Sequence, residues 1–206
     1  MNLRESALAD RIYRILEGQL LPRAERIIKR PDHFTILGLV LALLVPAGFF
    51  FHPFWGFILM TLSGLADIMD GLLAKKQNAV SPRGAFLDSS TDRVSDFLYL
   101  VGIWILFLKN EWVLLASLVV WLSMLSTFMI SYVKARAEGL SVRCQKGLME
   151  RGLRTVYLIV WALLLSIFTA VSDIILWAGL SLYCALTATT AIQRILHIMA
   201  LLDRGK

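Results

Sequence analysis

Apolar residues run through this 206-residue chain in long stretches separated by short polar breaks. Six stretches approach the ~17 to 25 residues that a helix needs to cross a ~30 Å hydrocarbon core. They fall at approximately 33 to 52, 54 to 74, 84 to 108, 111 to 135, 153 to 171 and 174 to 200. The pattern predicts an all-α integral membrane protein of six transmembrane helices. Ahead of the first stretch, Leu8, Ile12, Ile15, Leu16 and Leu20 recur at helical spacing among Arg11, Arg14, Glu17, Arg23 and Arg26. That spacing predicts an amphipathic helix lying in the headgroup region. The same segment opens with Arg4 and Glu5 and has no apolar core followed by a small-residue cleavage site, so no signal peptide is expected. With no internal repeat, low-complexity tract or long linker, residues 1–206 read as one domain, a juxtamembrane helix over 1–30 and a six-helix core over 31–206.

Charge adds an orientation. Hydrophobic residues make up 58% of the chain, too many for a soluble domain of this length to cover with polar surface. Of the 21 Lys and Arg, all but Lys109 fall before the first stretch, around the second and fourth connections, or near the C-terminal end. Cytoplasmic loops are enriched in basic residues, so both termini and the second and fourth connections are expected in the cytoplasm of a multi-pass protein of the cell (inner) membrane. The net charge of +6 sits at membrane borders. It suits anionic lipid headgroups and phosphorylated substrates, and no nucleic-acid partner is expected. Cys144 and Cys184 fall at different depths and have no metal-ligand spacing with a His.

One string breaks the apolar pattern: Asp67-x2-Asp70-Gly71-x2-Ala74-Lys75-x8-Gly84-x3-Asp88-x3-Asp92. A carboxylate at the centre of a membrane helix costs about 2.5 to 3.5 kcal/mol even on the lenient insertion scale, so four of them call for an offsetting role. On a helix, Asp67, Asp70, Gly71 and Ala74 share one stripe roughly 100° wide. Lys76 to Arg83 breaks the helical pattern and contains Ser81-Pro82, a turn signal. Gly84, Asp88 and Asp92 then recur every four residues on a second stripe. Two stripes facing each other across a hairpin would converge four carboxylates, a donor set suited to hard divalent cations. Four negative charges match two Mg²⁺, or Mn²⁺ in its place, leaving room for a diphosphate. Gly71, Ala74 and Gly84 keep the backbone open on the same faces, while Lys75 and Arg83 can balance phosphate charge. Two alternatives belong to other classes: acids paired locally with Lys and Arg, or acids lining the path of a cation transporter.

The string resembles the signature of the CDP-alcohol phosphatidyltransferases, with Lys75 where that family usually has Arg. Lysine keeps the charge and loses the planar fork. The resemblance implies a six-helix, dimeric membrane enzyme that transfers a phosphatidyl group from a CDP-linked lipid, such as CDP-diacylglycerol, to an alcohol and releases CMP. It also implies Asp67, Asp70 and Asp88 as the main metal ligands, and Asp92 as a ligand that also serves as general base. Gly71, Lys75 and Ser81 correspond to contacts with the CDP moiety. Arg30-Pro31-Asp32-His33, with Thr35 after it, corresponds to a stretch that closes over the nucleotide.

Lys134, Arg136, Arg151, Arg154 and Arg194 all fall at the ends of stretches assigned to the cytoplasmic side. Several cations gathered in a polar pocket suit a phosphate. The run Tyr132-Val133-Lys134-Ala135-Arg136-Ala137-Glu138-Gly139 is most similar to that of the phosphatidylinositol phosphate synthases, which implies inositol phosphate as the acceptor. Gly152-Leu153 departs from their usual Pro-Glu. Glycerol 3-phosphate, the acceptor of phosphatidylglycerophosphate synthases, would fit the same cations.

Overall fold

The computed structural model describes residues 13–144 and 146–204, and among them every regular element is helical. The chain divides into two compact units between Gly102 and Ile103. The first contains α1 (Pro31–Phe51), α2 (Pro53–Lys76) and most of α3 (Pro82–Ile105). The second contains α4 (Val113–Glu138), α5 (Arg151–Ile167) and α6 (Ser172–Arg204).

Four of these, α1, α2, α4 and α6, are long and apolar enough to cross a membrane. The other two fall short for physical reasons. Helix α3 carries Arg83, Asp88, Asp92, Arg93 and Asp96. Helix α5 has 17 residues, and Thr169–Val171 continues as a single 3-10 turn instead of extending it. At 1.5 Å per residue its length is about 25 Å, short of a ~30 Å core.

In the first unit α1 and α2 form a hairpin. His52, in extended conformation, ends α1 and caps α2, with its Nδ1 accepting from the Phe54 N–H at 3.2 Å, and Pro53 supplies the fixed φ of a first helical position. Lipid gives little hydrophobic drive for helix pairing, so close packing and interhelical hydrogen bonds hold such a pair together. Both are present. The Phe49 ring is boxed by glycines: a Cβ at Gly56 or at Gly102 would stand 2.5 Å from it. Tyr99 Oη donates to Ser63 Oγ at 2.7 Å, and Ser63 Oγ donates to the Gly38 carbonyl at 2.7 Å, linking α3, α2 and α1 through their interior.

The juxtamembrane helix expected over residues 1–30 lies partly outside the described residues, including Leu8, Arg11 and Ile12. Its described part is a π-helical turn, Leu16–Leu20, running into a short α-helix, Leu21–Ala24. Leu16 and Leu21 pack with Phe34, Met69, Leu72 and Leu73, so this stretch is docked on α1 and α2 while Ile15, Leu20 and Ile27 stay exposed. Lys76 donates to Glu25, and Gln77 Nε2 donates to the Lys29 carbonyl at 3.1 Å. The Lys76 hydrogen bond holds the Glu25 carboxyl below its ordinary pKa.

In the second unit Gly179 admits the indole of Trp161, whose Nε1 donates to the Ile175 carbonyl at 3.0 Å, and Tyr157 Oη donates to the Gly179 carbonyl at 2.8 Å. Tyr183 is fully buried and its hydroxyl lies 3.1 Å from Thr127 Oγ1, joining α6 to α4.

Candidate active site

The acidic string occupies the α2–α3 hairpin of the first unit. Helix α2 continues through Lys76 because Ala66 to Ala74 contains no breaker except Gly71, and it stops at Gln77, with Asn78 in the left-handed region at φ 53°. Ser81 restarts the chain: its Oγ accepts from the Gly84 N–H at 3.1 Å, capping α3, and Pro82 follows in the first turn. The hairpin brings Asp67 and Asp70 of α2 against Asp88 of α3, with one carboxylate oxygen from each lying within 4.8 Å of the others.

Asp70 is buried, 6% exposed, whereas Asp67 and Asp88 are half-buried. Thr35 Oγ1 of α1 donates to Asp70 Oδ2 at 2.6 Å. A hydrogen bond to a charged group contributes about 1.5 to 3 kcal/mol, the same order as the insertion penalty of one carboxylate. Three oxygen donors gathered around a half-open space fit a hard divalent cation, which characteristically leaves further positions to water and substrate phosphates.

Asp92 stands one helical turn beyond Asp88. It is buried, and its Oδ2 lies 3.7 Å from Arg93 Nη1, whose guanidinium also donates to the Ser89 carbonyl. The structure thus gathers three of the four acids as one ligand cluster and sets Asp92 beside a cation. Asp96, another turn along and 4% exposed, continues the same stripe. Sequence reading left it out although the four-residue spacing from Asp92 was visible. The pairing of Thr35 with Asp70 was also missed, because no sequence signal specifies a contact 35 residues apart.

The residues assigned to CDP occupy the open end of the same unit. Arg30, His33, Gly71, Lys75 and Ser81 are exposed, and Pro31, Asp32 and Ala74 are half-buried. A Cβ at Gly71 would meet nothing within 4 Å, so the space beside the acids is open there. Arg83 Nη1 lies 3.3 Å from Asp32 Oδ2, which joins the start of α1 to α3.

The five candidate acceptor cations all belong to the second unit. Lys134 and Arg136 are exposed and Arg151 is half-buried, while Arg154 and Arg194 are buried at 1% and 4% exposure. Arg154 Nη1 donates to the Met149 carbonyl at 3.0 Å, and its Nη2 lies 3.5 Å from Ser131 Oγ. Arg194 donates through Nε to the Lys146 carbonyl and through Nη1 to the Ile130 carbonyl, both at 2.8 Å. Gly147, at φ 125°, lets the loop pass: a Cβ there would stand 2.8 Å from Arg194 Nε. These arginines therefore fasten the segment between α4 and α5.

The profile of the CDP-alcohol phosphatidyltransferase family matches residues 28–190, across both units and the whole acidic hairpin. The chain belongs to that family. An archaetidylinositol phosphate synthase of Aeropyrum pernix is 30% identical over 201 residues, covering 95% of this chain and 98% of the relative. One of Methanothermobacter thermautotrophicus is 34% identical over 143 residues, 69% of this chain and 70% of the relative. The crystal structure of the phosphatidylinositol phosphate synthase of Mycobacterium tuberculosis with CDP-diacylglycerol bound superposes with a TM-score of 0.75 at 26% identity, covering 91% of this chain and 94% of that one. Membership in this family makes the chain an enzyme, against the transporter alternative.

Proposed function

We propose that this protein transfers a phosphatidyl group from a CDP-linked lipid to inositol phosphate, releasing CMP, in phospholipid biosynthesis. The observation that carries the reading is the gathering of Asp67, Asp70 and Asp88 in a chain of this family. The acceptor draws support from the relatives, whose names differ in the lipid portion and share inositol phosphate.

In this reading Asp67, Asp70, Asp88 and Asp92 hold two Mg²⁺, or Mn²⁺ in their place. The bound ions would supply charge neutralisation for the diphosphate and for the leaving CMP. Arg30, Pro31, Asp32, His33, Gly71, Ala74, Lys75 and Ser81 seat the CDP moiety, with Lys75 acting as a point charge where the family's usual Arg would grip with two hydrogen bonds. Asp92 takes the proton from the acceptor hydroxyl. The freed oxygen attacks the phosphorus that carries the lipid, the bond from that phosphorus to the bridging oxygen breaks, and CMP leaves with that oxygen. Lys134, Arg136, Arg151, Arg154 and Arg194 receive the acceptor's phosphate.

The protein works as a homodimer of six-span chains in the cell (inner) membrane, with residues 1–206 forming one catalytic domain and both termini and the active site cytoplasmic. The near-exclusive placement of Lys and Arg on one side supports the orientation. Reconstituted protein supplied with CDP-diacylglycerol and Mg²⁺ is expected to release CMP with inositol phosphate, and to release much less with inositol or glycerol 3-phosphate. A preference for glycerol 3-phosphate would reassign the acceptor, and no CMP from any acceptor would refute the reaction. CDP-archaeol in a parallel reaction distinguishes ether-linked from diacyl lipid.

A further inference from the structure

We propose that Thr35 is a positioning residue for the metal centre, its hydroxyl fixing one carboxylate oxygen of Asp70 so that Asp70 meets the divalent cation in a set orientation. The proposal rests on the metal-dependent reading above and goes beyond it, because Thr35 is thereby assigned to the metal and not to the nucleotide.

Thr35 is 8% exposed, so its hydroxyl has little access to a nucleotide entering from the open end. That hydroxyl has one proton and two acceptors in reach: Asp70 Oδ2 at 2.6 Å and the Pro31 carbonyl at 3.5 Å. The shorter distance assigns the proton to the carboxylate. A carboxylate turns easily about its last torsion, and three acids within 4.8 Å repel one another until a cation arrives. A donor fixed on one side removes that freedom.

Thr35 can serve this way only if its own backbone is held, and it is. One turn along α1, Gly38 lies against α2, where a Cβ would already be 3.4 Å from the Ala66 Cβ and the Ser63 carbonyl. Ser63 Oγ donates to the Gly38 carbonyl at 2.7 Å. At the other end, Asp32 and Arg83 join the first turn of α1 to α3, the helix that supplies Asp88. The first turns of α1 thus pack closely on α2, which supplies Asp67 and Asp70, and carry an exposed ion pair to α3. Partners that orient a metal ligand typically cost about 10- to 100-fold in metal affinity when removed.

The test titrates purified full-length protein with Mn²⁺ and follows free Mn²⁺ by electron paramagnetic resonance, with neither lipid nor nucleotide present. T35V and T35A are expected to weaken Mn²⁺ binding about 10-fold or more. T35S, which keeps the hydroxyl, is expected to stay within about twofold of the parent, because the metal ligand keeps its oriented partner. In CMP-release assays the Mg²⁺ concentration for half-maximal rate should rise by the same factor in T35V, with the KM for CDP-diacylglycerol at saturating Mg²⁺ unchanged. Parent-like Mn²⁺ affinity in both T35V and T35A overturns the proposal, as does a T35S variant that loses as much affinity as T35V. D70N separates the two readings. If D70N loses Mn²⁺ binding and the Thr35 variants do not, Thr35 alone is reassigned; if D70N binds like the parent, the metal site itself is wrong.

Discussion

At the scale of single residues, the acids of α3 differ more in surroundings than their even spacing suggests. Asp88 is half-buried and shares the three-acid cluster, while Asp92, four residues on, is buried against Arg93. A base for the acceptor hydroxyl has to be held in one place, and in the proposed mechanism Asp92 takes that role one turn along α3 from Asp88. Asp92→Asn preserves volume and removes the proton acceptor. It is expected to lower CMP release by at least about 100-fold while the thermal midpoint of the purified protein changes little. Turnover within about tenfold of the parent would contradict the assignment of Asp92 as general base.

At the scale of elements, the α1–α2–α3 arrangement turns on the space that glycine leaves. Exchanging a helical Gly for Ala ordinarily adds roughly 0.5 to 1 kcal/mol of helix stability. At Gly56 the added Cβ would sit 2.5 Å from the Phe49 ring, a ring that already lies as close to where a Cβ on Gly102 would stand, so it has little room to retreat. Overpacking of this kind costs about 1 to 3 kcal/mol, so the clash outweighs the helix preference. Gly56→Ala is therefore expected to lower the thermal midpoint, with part of the loss restored by Phe49→Leu in the same chain. At Gly152 a Cβ would meet nothing within 4 Å, so Gly152→Ala should leave the midpoint unchanged or raise it. A neutral Gly56→Ala would show that the ring is not confined as described.

At the scale of the whole molecule, the number of crossings decides on which side each connection lies. Helix α3 is charged and α5 is short, so length and hydropathy alone count four spans where the apolar stretches predicted six. The proposed six-span topology puts a cysteine at Asn78 and one at Asn110 on opposite faces, because α3 lies between them. In sealed vesicles, a membrane-impermeant maleimide is expected to label one and not the other; labelling of both from the same face would remove α3 from the spans. Native Cys144 and Cys184 are buried, which keeps the background low.

Sequence by itself determined the helical class, the hairpin of acids and the family resemblance, because hydropathy, helical phase and motif spacing are local properties that survive without a fold. The expected span at 84 to 108 was located to within a few residues at its start, since Ser81-Pro82 is a local signal for entering a helix. Its end came earlier, at Ile105, because nothing in the apolar run itself says where the helix gives way to turns. The use of Thr35 and Arg194 was decided only in the tertiary structure. Thr35 meets Asp70 across 35 residues, and Arg194 reaches the Ile130 carbonyl across 64. Sequence could count those groups but not pair them, because a buried hydrogen bond depends on which helices pack together and at what distance, and side-chain identity alone carries neither.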